Sequence, residues 1–498
     1  MKVQYIYGDE VREKVLEIFK NIHDLVVPSM GAKSLYAVID DPMGQPVITD
    51  DGVTIAKSIG NMSGYHKLVA KSMIEAAHNT EKEAYDGTTL TILLTYEIFK
   101  LGCELIEDGL HPQEVSDMLK EVFDTVNDDI EVMQMTADHV KDLATISTKI
   151  PALGAAVEAA FKKTGPGMEV AIEHKPNNKE KLKLVHSEGM SLRSGYSIQE
   201  LADNVTEAPV ARLALLKEEN LNQIELQRFF GSIPVEDKEI PIIYVTTTKV
   251  NPEVMRIIVD TSVNQGLPFN FLWIEEALVD EVFMDLSIIS GGKIRSHRYG
   301  VKEYTYEMCG TVTDLVLDID KCTMNGINKA EKRIEYYEKT LEDPDRKMDD
   351  MTKFLIEQRL ASLKNGVVKI QIGAATRLEY STIRLKLDDA IGAVRKAFRD
   401  GIVLGGGKAL YNLAGANKYE LIREILREPH RRILTNAGLT EKKYRTKREG
   451  VDVTTGLKVD LIDAGIIDSY TSVYQSIKNA TSIATNYLRA YTLIKEKE

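Results

Sequence analysis

At 498 residues the chain is longer than one hydrophobic core ordinarily organises, so two or three domains are expected. Its 43% hydrophobic and 28% charged residues, with a mean hydropathy of −0.20, exclude a disordered chain, and no apolar run approaches the roughly 20 residues of a membrane span. A net charge of −13 without a basic, aromatic-interleaved stripe argues against nucleic-acid partners.

The opening, MKVQYIYGDEVREKV, lacks the charged-then-apolar order of a secretory leader, which predicts a cytoplasmic location. VQYIY reads as a strand able to add to the sheet of a second copy. Val11, Val15, Phe19, Ile22 and Val26 recur at helical spacing. Leu35 to Ile39 alternates, and Pro42, Gly44 and Pro46 mark turns, so strands are expected there, with a second pair around Asp51-Gly52. Thr88 to Leu101 is apolar on nearly all sides, as in a helix buried all round. The middle third alternates short β-rich runs (PIIYVTTT, FNFLWI) with helical segments, an α/β pattern. Charged helices from about Lys329 to Thr340 and Arg346 to Lys364 flank Asp343-Pro344 as a hairpin. The strand VVKIQIGAAT then leads back to helices, the last expected over Ser469 to Glu498. Cys103, Cys309 and Cys322 supply neither a disulfide framework nor a CxxC pair. The sequence of helical, mixed, α/β, mixed and helical segments suggests an inner domain inserted into an outer one.

Four segments of the outer arms combine glycine, hydroxyl and carboxylate groups as a nucleoside triphosphate site would. In SMGAKS, Ser29 to Ser34, glycine lets N–H groups approach phosphate, though no P-loop pattern is present and a plain loop is the better reading of the segment alone. In ITDDGVTIA, Ile48 to Ala56, Asp-Gly reads first as a hairpin turn. DGTTL, Asp86 to Leu90, opens the buried helix where free N–H groups favour anions, and Asp86 beside two hydroxyls suits Mg²⁺ on a triphosphate; a simple N-cap explains it too. In Leu387 to Leu410, a helix bearing Asp389 precedes Gly405 to Gly407, and three adjacent glycines require a sharp turn or a close approach to the backbone.

Together, SMGAKS, ITDDGVTIA, DGTT, ATIS, EGM near a GY, GAAT, DDA with GxVxGGG, and GIID follow the order and nearly the intervals of the group I chaperonins, the GroEL/Hsp60 family, which the sequence resembles from about residue 3 to residue 495. The resemblance is weakest between Glu200 and Asn325. It implies a multidomain α and α/β chaperonin fold: a mainly helical equatorial ATPase domain (1–129 and 401–498), a small intermediate domain (130–186 and 368–400) and an α/β apical substrate-binding domain (187–367). It further implies ATP and Mg²⁺ as cofactors, and ATP hydrolysis coupled to folding of nonnative client proteins in a homo-oligomeric ring, with a co-chaperonin left open and no nucleic-acid or membrane partner.

Carried over position by position, Asp86 resembles the metal ligand, with Gly87, Thr88 and Thr89 around the phosphates and Ser29, Met30 and Gly31 in the first nucleotide loop. Gly406 and Asp468 fall near the ribose, and Asp452, Val453 and Thr454 near adenine. Asp389 resembles the carboxylate that activates water, with Asp51 its catalytic partner. Gly189 and Gly366 match the upper hinge and Gly401 the lower. In the client-binding region Tyr196 keeps the family's aromatic and Leu201 its apolar character, while Glu200 departs from it. Stripes at Leu221, Ile224, Phe229 and Phe230, and at Val254, Ile257, Ile258 and Val259, resemble the groove helices, although apolar helical faces are more often core. Asp50 stands where the family has lysine, Tyr85 where it has glycine, Leu90 where it has threonine and Ala32 where it has proline. Such divergence suggests a specialised member, virus-encoded or a paralogue; the alternative is a ring scaffold or holdase that has lost hydrolysis.

Overall fold

The computed structural model describes residues 3–40, 47–59, 64–165, 170–176, 180–187, 190–192, 207–217, 221–247, 252–274, 278–296, 303–317, 322–343, 348–365 and 367–496. They form two compact units: an outer one, Met1–Glu158 with Thr382–Glu498, and an inner one, Ala159–Ser381. No helix among the described residues is long and apolar enough to cross a membrane.

The outer unit is built on helices whose buried positions follow the sequence pattern. After strand β1 (Val3–Tyr7), α1 (Asp9–Val26) buries Val11, Val15, Phe19, Ile22 and Val26, and acidic Asp9 and Glu10 occupy its first turn, where the helix dipole favours them. A short hairpin, β2 (Ala37–Ile39) with β3 (Val47–Thr49), precedes α2 (Gly52–Ile59) and α3 (Gly64–Ala84). The helix α4 (Thr88–Glu107) is buried around much of its circumference, with Ile92, Leu93, Leu94, Ile98 and Phe99 inaccessible. Phe19 meets Phe99 edge-on at 5.2 Å. The helices α5 (Pro112–Asp129), α6 (Val140–Thr148) and α7 (Pro151–Thr164) complete the first arm.

One expectation fails here for a local reason. Asp51-Gly52 opens a helix instead of turning a hairpin, because the Asp51 carboxylate accepts from the Thr54 N–H (2.9 Å) and hydroxyl (2.5 Å) and so caps α2. VQYIY forms the expected strand and pairs along one edge with a strand of its own chain.

The inner unit is α/β. Three strands, β4 (Val170–His174), β5 (Leu182–Ser187) and the returning β13 (Val367–Ile372), make a small sheet in the order β4-β13-β5. A seven-stranded sheet is ordered β6-β12-β11-β7-β8-β9, from β6 (Met190–Leu192), β7 (Glu207–Leu216), β8 (Ile242–Thr246), β9 (Phe269–Trp273), β11 (Gly310–Leu317) and β12 (Cys322–Gly326); the remaining strand, β10 (Ile294–Arg295), pairs β7. β7, β8 and β9 run parallel, and every residue of β8 is buried, as parallel strands covered on both faces require. α8 (Gln223–Gly231) and α9 (Pro252–Gln265) contribute to one apolar cluster of this unit, and α10 (Val279–Ser290) to another. The charged hairpin is α11 (Glu331–Glu342) and α12 (Asp350–Asn365).

The expected client-binding residues divide on burial. Ile258 is fully buried and Val254 nearly so, both in the core with Phe229 and Phe271, because α9 turns them onto the sheet; they are corrected to packing residues. Val259 is only partly buried, and Ile224 is 63% exposed. Tyr196, Leu201, Gly189 and Gly366 lie outside the described residues. Ile258→Ser is therefore expected to cost the inner unit about 3–5 kcal/mol, through a cavity plus a buried hydroxyl, and Val259→Ser under about 1.5 kcal/mol. Urea unfolding of each variant checks this, and equal losses would refute the division.

The chain re-enters the outer unit through α13 (Arg377–Asp400), β14 (Ile402–Leu404), α14 (Lys408–Leu413) and α15 (Arg423–Asn436). The hairpin β15 (Glu449–Asp452) and β16 (Leu457–Asp460) leads to β17 (Ile467–Ser469), antiparallel to β14. α16 (Tyr470–Leu488) packs on α3, α4 and α5. The expected helix to residue 498 is cut at Leu488 by β18 (Thr492–Glu496), which alternates buried Leu493 with exposed Ile494 and pairs β1 antiparallel.

Candidate functional site

The loop after α1 is held from both sides. The Ser29 hydroxyl donates to the Val26 carbonyl at 2.7 Å and lies 3.4 Å from the Thr89 hydroxyl, while the Asn436 amide donates to the carbonyls of Val27 (3.0 Å) and Met30 (2.9 Å). The glycine before α4 is fixed by crowding: Gly87 has φ +96°, and a Cβ there would lie 2.7 Å from the Ser476 hydroxyl. Its N–H donates to the Asp86 carboxylate at 2.7 Å, and the first backbone bond of α4 is Thr91 N–H to Gly87 carbonyl, so the N–H groups of Thr88 and Thr89 sit at the positive end of the helix.

β14 pairs with β17 so that Val403 stands opposite Asp468, which brings that aspartate beside the Gly405–Gly407 turn. The Gly406 N–H donates to the Asp468 carboxylate. Behind the turn, His430 donates from Nδ1 to the Gly406 carbonyl (2.8 Å) and accepts at Nε2 from the Tyr444 hydroxyl (2.6 Å), an arrangement of neutral imidazole that burial also favours. Lys408 lies beneath, its ammonium 3.9 Å and 4.2 Å from the ring centroids of Tyr444 and Tyr411, and burial pulls its pKa down to about 8.

Carboxylates converge in front of these loops. Asp389 of α13 is pushed up to about 8 by burial first and then by Glu81, Asp51, Asp86 and Asp388. Asp468 is pushed up to about 7 by burial and by Asp86, against the Gly406 N–H. Asp86 reaches solvent, yet the protein massed around it raises its carboxyl too, opposed by the Gly87 N–H and Lys149. No group of three or more candidate ligands forms among the described residues. Asp86, which precedes the Thr88 and Thr89 hydroxyls at the mouth of α4, offers a donor set that would suit Mg²⁺, since that ion takes one or two protein carboxylates and fills its remaining positions with phosphate and water.

Asp50, which adds a charge beside Asp51, is neutralised. The Lys149 ammonium donates to the Asp50 carboxylate (2.8 Å), the Ser34 hydroxyl (3.0 Å) and the Ser29 carbonyl (3.2 Å), and Ser34 also donates to Asp50 (2.9 Å). Burial alone would raise Asp50; Lys149, Ser34 and Lys386 outweigh it and hold the carboxyl below its usual range. Lys386 of α13 donates to the Thr148 carbonyl at 3.3 Å. Sequence reasoning overlooked both lysines, although Lys149 lies two residues beyond the ATIS segment.

Ser29, Met30, Gly31, Asp51, Asp86, Gly87, Thr88, Thr89, Asp389, Gly406 and Asp468 are thus linked in one region of the outer unit. Asp452, Val453 and Thr454 are not tied to it by hydrogen bonds: the Asp452 carboxylate closes its own turn on the Thr454 N–H (2.8 Å) and the Thr455 hydroxyl (2.9 Å), and Val453 packs with Val451 and Leu434. Gly401 ends α13 at φ +94°, where a Cβ would press on the Met133 carbonyl at 2.8 Å.

The family model of the TCP-1/cpn60 chaperonin family matches residues 22–219 and 286–498. Two crystal forms of the chaperonin gp146 from the bacteriophage EL 2 (Pseudomonas aeruginosa), both obtained in presence of ATP-BeFx, share the fold at 17% sequence identity. Each alignment covers 99% of both chains, with TM-scores of 0.75 for crystal form II and 0.69 for form I.

Proposed function

Because this chain belongs to the TCP-1/cpn60 chaperonin family, we propose that it is an ATP-hydrolysing chaperone that works as a homo-oligomeric ring on nonnative proteins in a cytoplasm. The observation that carries the catalytic part is the electrostatic coupling of Asp389 to Asp86 and Asp51 in front of the α4 N-terminus. In this reading the N–H groups of Thr88 and Thr89, with Ser29, Met30, Gly31 and Gly87, receive the triphosphate, Gly406 and Asp468 the ribose, and Asp452, Val453 and Thr454 the base. Asp86 holds Mg²⁺, whose charge offsets that developing on the phosphates. Asp389 takes the proton of the attacking water, aided by Asp51.

The domain roles follow the same reading: 1–129 and 401–498 equatorial, 130–186 and 368–400 intermediate, 187–367 apical, with Gly189, Gly366 and Gly401 as hinges and Val259, Tyr196 and Leu201 meeting clients. The exposed Ile224 joins that set. The rival reading, a decayed scaffold that no longer hydrolyses, rests on Asp50, Tyr85 and Leu90 together, and the pairing of Asp50 with Lys149 weighs against the first of these. The test is sedimentation of the purified full chain with and without Mg-ATP, beside phosphate release and capture of a chemically denatured protein. A particle many times 55.7 kDa that releases phosphate and retains denatured protein is expected. A 55.7 kDa species under every nucleotide condition overturns the ring, and a ring without phosphate release returns the scaffold.

A further inference from the structure

Helix α3 ends at Ala84, and the next residue, Tyr85, adopts φ +60° immediately before the Asp86 loop. The left-handed conformation at a helix C-terminus is ordinarily left to glycine, since a Cβ makes it unfavourable. Tyr85 holds it nonetheless, its N–H bonded to the Glu81 carbonyl at 2.6 Å. The ring supplies a reason. On α13, Gly392 leaves a notch in which the ring lies: a Cβ there would fall 2.6 Å from Tyr85 Cδ2 and closer still to Cγ and Cδ1. Glycine within a helix is itself unfavourable, so each partner carries a local penalty that the contact between them explains.

We infer that Tyr85 is a positioning residue whose ring, seated against Gly392, sets the gap between Asp86 and Asp389; this rests on reading the site as an ATPase centre. Asp389 lies one helical turn before Gly392 on the same side of α13, about 4.5 Å along the axis. Tyr85 is joined directly to Asp86, with Cα atoms about 3.8 Å apart. The contact thus sits within one short lever of each carboxylate, and any displacement there passes almost undiminished into their separation. A methyl group at Gly392 needs roughly 1 Å more room to reach ordinary van der Waals distance, and a misplacement of that size at reacting groups costs up to about 10²-fold in rate.

The test uses the full chain. Tyr85→Cys/Gly392→Cys should cross-link under mild oxidation, and the three native cysteines, all buried, do not compete. Gly392→Ala should lower kcat by about 10- to 10²-fold while the nucleotide Kd stays within roughly 3-fold. On helix propensity alone this substitution strengthens α13, so a merely structural role predicts no loss. Tyr85→Phe keeps the ring and should retain the wild-type kcat, whereas Tyr85→Ala, which empties the notch beside Gly392, should lower kcat by about 10-fold or more with the nucleotide Kd little changed. Failure to cross-link, a Gly392→Ala kcat equal to wild type, or a Tyr85→Ala kcat equal to wild type would each overturn the inference while leaving the ATPase reading intact. A wild-type protein that neither binds nor hydrolyses ATP overturns that reading, and this inference falls with it.

Discussion

Asp389→Ala is expected to bind ATP as tightly as the wild-type protein yet release phosphate at least about 10²-fold more slowly, the scale of a lost general base. Asp86→Ala is expected to weaken nucleotide binding and turnover together. The two carboxylates are neighbours, and Asp86 contributes to the electrostatic environment of Asp389, but their surroundings differ. Asp86 accepts the Gly87 N–H at the mouth of α4, where the phosphates and their metal would sit, so its loss removes contacts made by the bound ground state. Asp389 stands on α13 and has no part in the backbone cradle, so its loss is felt in the transition state. Equilibrium nucleotide binding beside steady-state phosphate release separates the outcomes. Hydrolysis by Asp389→Ala at the wild-type rate would remove it from the mechanism.

A pH dependence accompanies this result. An acid whose folded pKa, about 8 for Asp389, exceeds its ordinary value of 3.8 binds more protons folded than unfolded between those limits. The stability it contributes is full below the unfolded value and is lost as pH rises through the folded one. Asp389→Asn stays neutral and escapes that loss. With nucleotide absent, its unfolding midpoint should match wild type near pH 4 and exceed it by roughly 3–6 °C near pH 8.5, after allowance for the partial solvent access of the carboxyl. A site that is destabilising when empty is common where function needs like charges held together.

Much of the fold was legible because burial imposes periodicity. The stripe of α1, the all-round burial of α4 and the unbroken apolar run of β8 each have one physical explanation, and the structure agrees. Asp51-Gly52 was misread because a tight turn and a helix start ask for the same residues, and only Thr54, three residues on, separates them. The final strand was missed because β18 is decided by pairing with β1 at the opposite end of the chain. The outer-arm motifs were visible as short segments, but their support is long-range. Lys149 answers Asp50 from 99 residues away, and Lys408 is caged by Tyr411 and Tyr444, of which only Tyr411 is near in sequence. No local pattern could have indicated either. The client-binding stripe erred differently, since helical spacing identifies an apolar face without saying what it covers, and α9 turns Ile258 inward.

Asp285→Ala is expected to destabilise the inner unit by about 3–5 kcal/mol, enough to separate its unfolding from that of the outer unit. Asp285 is fully buried on α10 and accepts from Arg333 Nε (2.6 Å) on α11, from Arg359 Nε (2.7 Å) on α12, and from the Tyr337 hydroxyl on α11, whose single proton faces both carboxylate oxygens at 3.0 Å. Arg333 also meets Glu281, and its guanidinium lies 4.5 Å from the centre of the Tyr337 ring. One carboxylate therefore clips both helices of the charged hairpin to the α/β layer. Both arginines are about nine-tenths buried, so truncating Asp285 removes the anion they share from an environment that solvates charge poorly. The loss should come from that under-compensated positive charge more than from the missing attraction. A replacement that removes all of these charged groups distinguishes the two: Asp285→Leu/Arg333→Met/Arg359→Met should recover most of the stability that Asp285→Ala loses, because apolar groups of similar size need no partners. Calorimetry should show an early transition in Asp285→Ala with ATP hydrolysis by the outer unit retained below it. A single unshifted transition in Asp285→Ala would mean that the hairpin is held by its apolar contacts, and a triple variant weaker than Asp285→Ala would mean that the ionic clip is itself net stabilising.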